Sequence, residues 1–152
     1  MMNNHQVAVL LPVLAGSLAA LCTILIHSLA LVASVNLFRH EKQHGHVGSQ
    51  PWIDLGLFML TMSFAFIAHL IEIALWAVLL LVCGEFETVQ LAFYHSAANY
   101  TTLGSGDLPM TLSWRLLGPL EAANGALMFG VSTAMIFAMA QRLMRARFGD
   151  LQ

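Results

Sequence analysis

The run Tyr100-Thr101-Thr102-Leu103-Gly104-Ser105-Gly106-Asp107 decides how this chain is read, because of what flanks it. Before it lies a short helix-compatible run, 89–99, opened by Thr88 as a candidate cap. Long apolar segments stand on either side of that pair. A helix of about 12 residues covers only about 18 Å, too little to cross a hydrocarbon core about 30 Å thick, so 89–99 reads as a re-entrant segment. Within the loop, Gly104 and Gly106 supply positions where positive φ costs nothing, and Leu103 and Ser105 fill the alternate positions. Alternating handedness of this kind turns successive carbonyl oxygens toward one line. Four copies around an axis would exchange the water shell of a cation for oxygen ligands. Thr102 adds a hydroxyl at the inner end and Asp107 a negative charge at the outer mouth. The carboxyl end of the short helix, with its partial negative charge, favours a cation beside it.

Composition agrees with a membrane setting. The 152 residues are 59% hydrophobic and 9% charged, with mean hydropathy +0.76, whereas a soluble domain is about a quarter charged. A net charge of −2 with no basic stripe argues against nucleic acid as a partner. Cys22 and Cys83 both lie in apolar segments without metal-ligand spacing and read as packing residues. The N-terminus has no Lys or Arg, and its apolar run is too long for a signal-peptide core; Leu21 is too bulky for a lipoprotein site at Cys22.

Three spans are expected. The first covers about 7–38 and is followed by a polar hinge, 39–51, that ends at Pro51. The second covers about 52–83, with Trp52 as an interfacial anchor. The third begins near Trp114 and runs to about Ala140. The fold class is therefore an all-α membrane protein: three transmembrane helices, a re-entrant pore helix and a filter loop, assembling as a tetramer. Five of the six basic residues (Arg39, Lys42, Arg142, Arg145, Arg147) fall in the hinge or the tail, the exception being Arg115. By the positive-inside rule that side is cytoplasmic, so the N-terminus and the loop face outward from the cell (inner) membrane.

The stretch from Phe93 to Asp107, with Trp114-Arg115-Leu116-Leu117-Gly118-Pro119-Leu120-Glu121-Ala122 and Met128-Phe129-Gly130, resembles the pore domain of bacterial two-transmembrane potassium channels (the ion-channel family). The family's filter signature is Thr-Val-Gly-Tyr-Gly-Asp; here Leu103 replaces Val and Ser105 replaces Tyr. The resemblance covers about the last half of the chain. It divides the sequence into an N-terminal helix and loop, 1–51, and a pore domain, 52–152. What it implies is a homotetramer that passively conducts a monovalent cation, potassium first, through Thr102, Leu103, Gly104, Ser105 and Gly106, with no cofactor.

Ser105 is the departure that matters. The family's aromatic side chain packs outward and holds the filter's diameter, which Ser cannot do. Tyr94 and His95 are the candidates for replacement contacts, including a His95–Ser105 hydrogen bond, and Asp107 and Glu121 complete the candidate support. Selectivity for potassium over sodium is left open by this substitution, so a non-selective cation channel stands beside the potassium channel. A membrane structural or sensor subunit without conduction is the reading from another class. An auxiliary protein is one possible use of the first span, peripheral packing the other.

The remaining ionisable groups are read as follows. Glu121, near the outer third of the last span, should face protein or water; bracing of the pore helix is expected, with a protonated state or ion binding as the alternatives. His27 and His69, counted from expected span ends at Phe38 and Trp52, lie at depths that differ by about 9 Å, which argues against a shared haem, and neither helix has a second histidine for a paired site. Those two and Glu72 are expected in interhelical hydrogen bonds. His40, His44 and His46 cluster in the hinge, either as a solvated surface, a metal site or a pH sensor. Gly125 and Gly130 in the last span are either packing positions or a gating hinge. Ser132 and Thr133 add polar groups there, and Met128, Phe129, Ile136 and Phe137 form either a constriction or a packing seam. No span carries Arg or Lys at every third position, as a voltage sensor does. No nucleophile–base pair or phosphate-cradling loop is present, so an enzyme is not expected.

Overall fold

The computed structural model describes residues 4–104 and 107–149. Among them every regular element is helical: α1 (Asn4–Gln43), α2 (Pro51–Val82), α3 (Val89–Tyr100) and α4 (Leu117–Phe148). Stretches of three helices, Val9–Gln43, Pro51–Val82 and Leu117–Phe148, are long and apolar enough to cross a membrane, as a multi-pass membrane protein requires.

Helix ends depart from the sequence expectation where composition misleads. Residues 39–43, expected in a polar hinge, continue α1 because Arg, Glu, Lys and Gln are good helix formers despite their polarity. The helix stops where Gly45 takes φ +71°. There Gly45 N–H bonds the Lys42 carbonyl at 3.1 Å and His46 N–H bonds that of Glu41 at 3.1 Å. Pro51 opens α2, where its missing N–H leaves no bond unmade. α4 begins at Leu117 rather than Trp114, since 112–116 fold as turns. It continues to Phe148 rather than Ala140, because the Arg, Leu, Met and Ala of its tail are strong helix formers. Arg145 and Arg147 in its last turn favour the helix dipole.

The chain packs as two compact units. The first combines α1 up to Ile26 with Leu70–Phe129. Its core holds Trp76, Leu80, Tyr100 and Leu117, all fully buried, with Ala19, Ile73 and Met128. Here α1 packs on α4 through a small residue: a Cβ at Gly16 would lie 2.8 Å from the Leu120 side chain. Asn124 Nδ2 donates to Thr23 Oγ1 at 2.9 Å, a buried polar link between the same two helices. The N-terminal span thus has a partner within its own chain.

The second unit runs from His27 to His69 and onward from Gly130. Phe38, Leu57, Met139 and Leu143 form its core. Gly48, at φ +80°, makes a close approach that only glycine allows, since a Cβ there would stand 2.7 Å from the Ala146 carbonyl oxygen. Its N–H donates to Asp54 Oδ1 at 2.9 Å.

Candidate functional site

α3 starts where Thr88, in extended conformation, accepts a hydrogen bond from Leu91 N–H at 3.3 Å. One face of the helix is buried: Ala92, His95, Ser96, Ala98 and Tyr100. Two of these carry hydroxyls four residues apart, and each meets a carboxyl group from a long helix. Tyr100 donates to Glu72 Oε2 on α2, and its ring meets Phe129 edge-on with centroids 5.6 Å apart. Ser96 Oγ lies 2.5 Å from Glu121 Oε1 on α4 and 2.8 Å from the Ile73 carbonyl on α2. One hydroxyl proton therefore faces two acceptors, and the arrangement is complete only when Glu121 itself brings a proton. Glu121 is fully buried, and among the described residues its Oε2 has no hydrogen-bond partner, as suits a neutral carboxyl. The expected bracing of α3 by Glu121 is thus a hydrogen bond to Ser96.

Glu72 was expected in an interhelical hydrogen bond, and it makes one, though the sequence reading did not name Tyr100 as the partner. The available signal was weak: an acid in an apolar span needs a partner, and Ser96 and Tyr100 share a helix face by their i, i+4 spacing.

The backbone leaving α3 is fixed in the same way. A Cβ at Gly125 would lie 2.0 Å from the Tyr100 carbonyl oxygen and 2.8 Å from its carbon, so α4 takes the end of α3 against bare backbone. Gly118 comes close to Asn99, with a Cβ there 3.4 Å from Nδ2. Gly130, by contrast, has nothing within 4 Å of its would-be Cβ. The two candidate hinge glycines are therefore different: Gly125 is a contact position, and Gly130 is open.

After Tyr100 the chain turns sharply. Thr101 N–H bonds the Ala97 carbonyl at 3.1 Å, Thr102 N–H that of Asn99 at 2.8 Å, and Gly104 N–H that of Ala98 at 3.0 Å. Thr102 takes φ +62° and Gly104 φ +84°. Gly104 meets the expectation of positive φ. Thr102 was not expected to share it, and a β-branched residue there is strained by about 1–2 kcal/mol. Residues 101–104 are exposed in the single chain, Leu103 at 82%. Ser105 and Gly106, with the expected His95–Ser105 bond, lie outside the described residues.

Support around the loop comes from several directions. Tyr94 OH reaches Asp107 Oδ2 at 3.4 Å, a long and exposed contact. His95 is buried, its ring 4.7 Å from that of Phe86. Burial pushes its pKa below the ordinary histidine value, against the upward pull of the Leu108 backbone, Glu85 and Asp107. Glu85 clamps the strand of chain beyond the loop, accepting from Thr111 N–H at 2.7 Å and Thr111 Oγ1 at 2.5 Å.

In the second unit, His27 and His69 come together, contrary to the depth argument. Their ring centroids are 5.1 Å apart. Ser132 Oγ bridges them, 2.9 Å from His69 Nε2 and 3.0 Å from His27 Nε2. The miscount followed from the helix ends: measured from Gln43 and Pro51, the two histidines stand at nearly equal depth. Interhelical hydrogen bonding is what the pair does here, through Ser132, which the sequence reading took only as a polar group of the last span. His40, His44 and His46 form an exposed stack with centroids 4.4 and 5.9 Å apart. His46 Nδ1 lies 2.8 Å from Glu41 Oε2.

No protein-family model, curated protein or solved structure matches this chain. The resemblance to potassium-channel pores rests on the residues alone.

Proposed function

We propose that this protein is a homotetrameric cation channel of the cell (inner) membrane, with potassium the first candidate ion. The observation that carries the reading is the turn at the end of α3. A helix too short to span ends in a loop with two left-handed residues, Thr102 and Gly104, on either side of Leu103, in a sequence that resembles a selectivity filter. Two buried carboxyl groups and a bare glycine backbone hold that helix end, which is the rigidity a carbonyl ladder needs. In the tetramer the exposed loop lines the axis, Thr102, Leu103 and Gly104 present their carbonyl oxygens, Ser105 and Gly106 belong to the same filter by sequence alone, and α4 lines the cavity below. The hinge for opening lies at Gly130, the open glycine. The N-terminus lies outside and the basic ends of α1 and α4 lie in the cytoplasm.

Potassium and sodium flux into liposomes containing purified protein tests the proposal. Potassium flux is expected, and Gly104→Ala should abolish it while leaving the oligomer intact, because a side chain at φ +84° distorts the ladder. Equal sodium flux would assign the non-selective reading that Ser105 raises. A monodisperse monomer, or flux unchanged in Gly104→Ala, would contradict the channel.

A further inference from the structure

Four of the six basic residues of the chain line one cavity of about 710 Å³. Arg39 and Lys42 come from the last turns of α1, and Arg142 and Arg145 from the last turns of α4. Phe38, nearly buried, forms its apolar wall, with the Arg142 guanidinium 5.8 Å from the ring centre. No acidic side chain lines it among the described residues.

Helix dipoles alone do not account for this concentration. Two helix carboxyl ends offer about half a negative charge each, which offsets roughly one of the four cations. About three positive charges remain around one cavity. Topology signalling asks only that basic residues lie on one side, and does not require two helices to converge on a single cavity.

A second feature continues from the first. One to three turns back along the same helices, a largely apolar groove is lined by Leu31, Val35, Met135, Ala138 and Met139, with Ser34, whose hydroxyl is bonded to the Ala30 carbonyl, and Arg142 belongs to both. A basic cavity that shares Arg142 with a largely apolar groove between two membrane helices matches one kind of molecule: a phosphate-bearing headgroup joined to an acyl chain.

We infer that the paired ends of α1 and α4 bind an anionic phospholipid of the inner leaflet. Its phosphate sits among Arg39, Lys42, Arg142 and Arg145, and an acyl chain lies in the groove beyond Arg142. Arginine suits this role because its planar fork meets two phosphate oxygens at once. Half the site comes from α1, which the channel resemblance does not cover. The lipid would join the end of the N-terminal span to the end of α4, the helix proposed to open, and so bears on gating without depending on it.

Lipid retention is the test, read by native mass spectrometry on the detergent-purified full-length protein and independent of conduction. Phosphatidylglycerol should be retained at least 10-fold over phosphatidylcholine. The double variant Arg142→Gln/Arg145→Gln should weaken it about 30-fold, at about 5-fold per cation, and Lys42→Gln about 5-fold. Arg115→Gln, which removes a basic residue outside the cavity, should change nothing. Lys42→Gln, an exposed side-chain change, keeps the test available if the double variant does not fold. Equal retention of the two lipids would overturn the inference, as would equal losses in Arg115→Gln and Lys42→Gln. Displacement of the lipid by low-millimolar inorganic phosphate would assign the cavity to a free anion and overturn the lipid source.

Discussion

The two units of this chain treat their polar residues in opposite ways. In the first, two carboxyl groups, Glu72 and Glu121, are fully buried, and each is bonded to a hydroxyl on the short helix α3. In the second, the mid-helix polar cluster is His27, Ser132 and His69, groups that can be buried without carrying charge. Its cationic side chains stand exposed at the helix ends. Burying an unpaired carboxylate costs several kcal/mol, so an acid survives inside a span only where its partner and protonation are specified. The first unit uses that demand to fix one element in one place. The second unit instead keeps its cations at exposed helix ends, and its buried acid, Asp54, lies in the first turn of α2, bonded to Gly48 N–H. Precision in the molecule is concentrated at the end of α3.

The contrast can be broken most forcefully at Gly125. Gly125→Ala places a methyl group 2.0 Å from the Tyr100 carbonyl oxygen. It should destabilise the protein by about 3 kcal/mol or more, or prevent assembly, as judged by thermal melting and size-exclusion profile. Gly130→Ala is the control within the same helix: with open space around it, the added methyl should stabilise the helix by up to about 1 kcal/mol. If both variants behave alike, the end of α3 is not held as described.

Glu121 separates charge from shape. Glu121→Gln keeps a donor toward Ser96 and should stay within about 1 kcal/mol of wild type. Glu121→Ala removes that donor and leaves a cavity, and should cost about 2–4 kcal/mol in thermal melting. A glutamine as damaging as alanine would show that an ionised carboxylate is needed there. Ser132→Ala, the counterpart in the second unit, should cost only about 1 kcal/mol, since hydrogen bonds between membrane helices average less than that.

Titration provides a smaller effect on the loop side. Burial lowers the His95 pKa, so the folded state binds fewer protons there than the unfolded state. Stability from this group is present above the unfolded value near 6.5 and declines as pH falls below it. Melting temperature should drop between pH 7 and pH 5, and less steeply in His95→Gln. The least effect belongs to Tyr94→Phe, whose 3.4 Å contact with Asp107 is exposed; it should shift stability by less than about 0.5 kcal/mol.

Much of this arrangement could be read in the sequence, for reasons that are physical. Apolar length alone located α2 closely, Thr88 announced the start of α3, and Gly104 its positive φ. Helix ends were harder where polar residues are also helix formers: 39–43 and 141–148 looked like loop and tail but continue α1 and α4. That error in turn separated His27 from His69 by a false difference in depth. The pairings of Glu72 with Tyr100 and of Ser132 with both histidines depend on which helix faces meet, and periodicity within one helix does not carry that information. Thr102 was unreadable for another reason, since a β-branched residue at positive φ runs against local preference and is imposed by its surroundings.

The proposed channel requires the loop after α3 to coordinate cations on a tetramer axis. Anomalous scattering from rubidium-soaked crystals of the assembled protein tests it most directly. The account predicts a row of rubidium peaks on a four-fold axis, within coordination distance of the Thr102, Leu103 and Gly104 carbonyl oxygens of all four subunits. A four-fold assembly without axial peaks, or one whose loops at Gly104 face away from the axis, would contradict it.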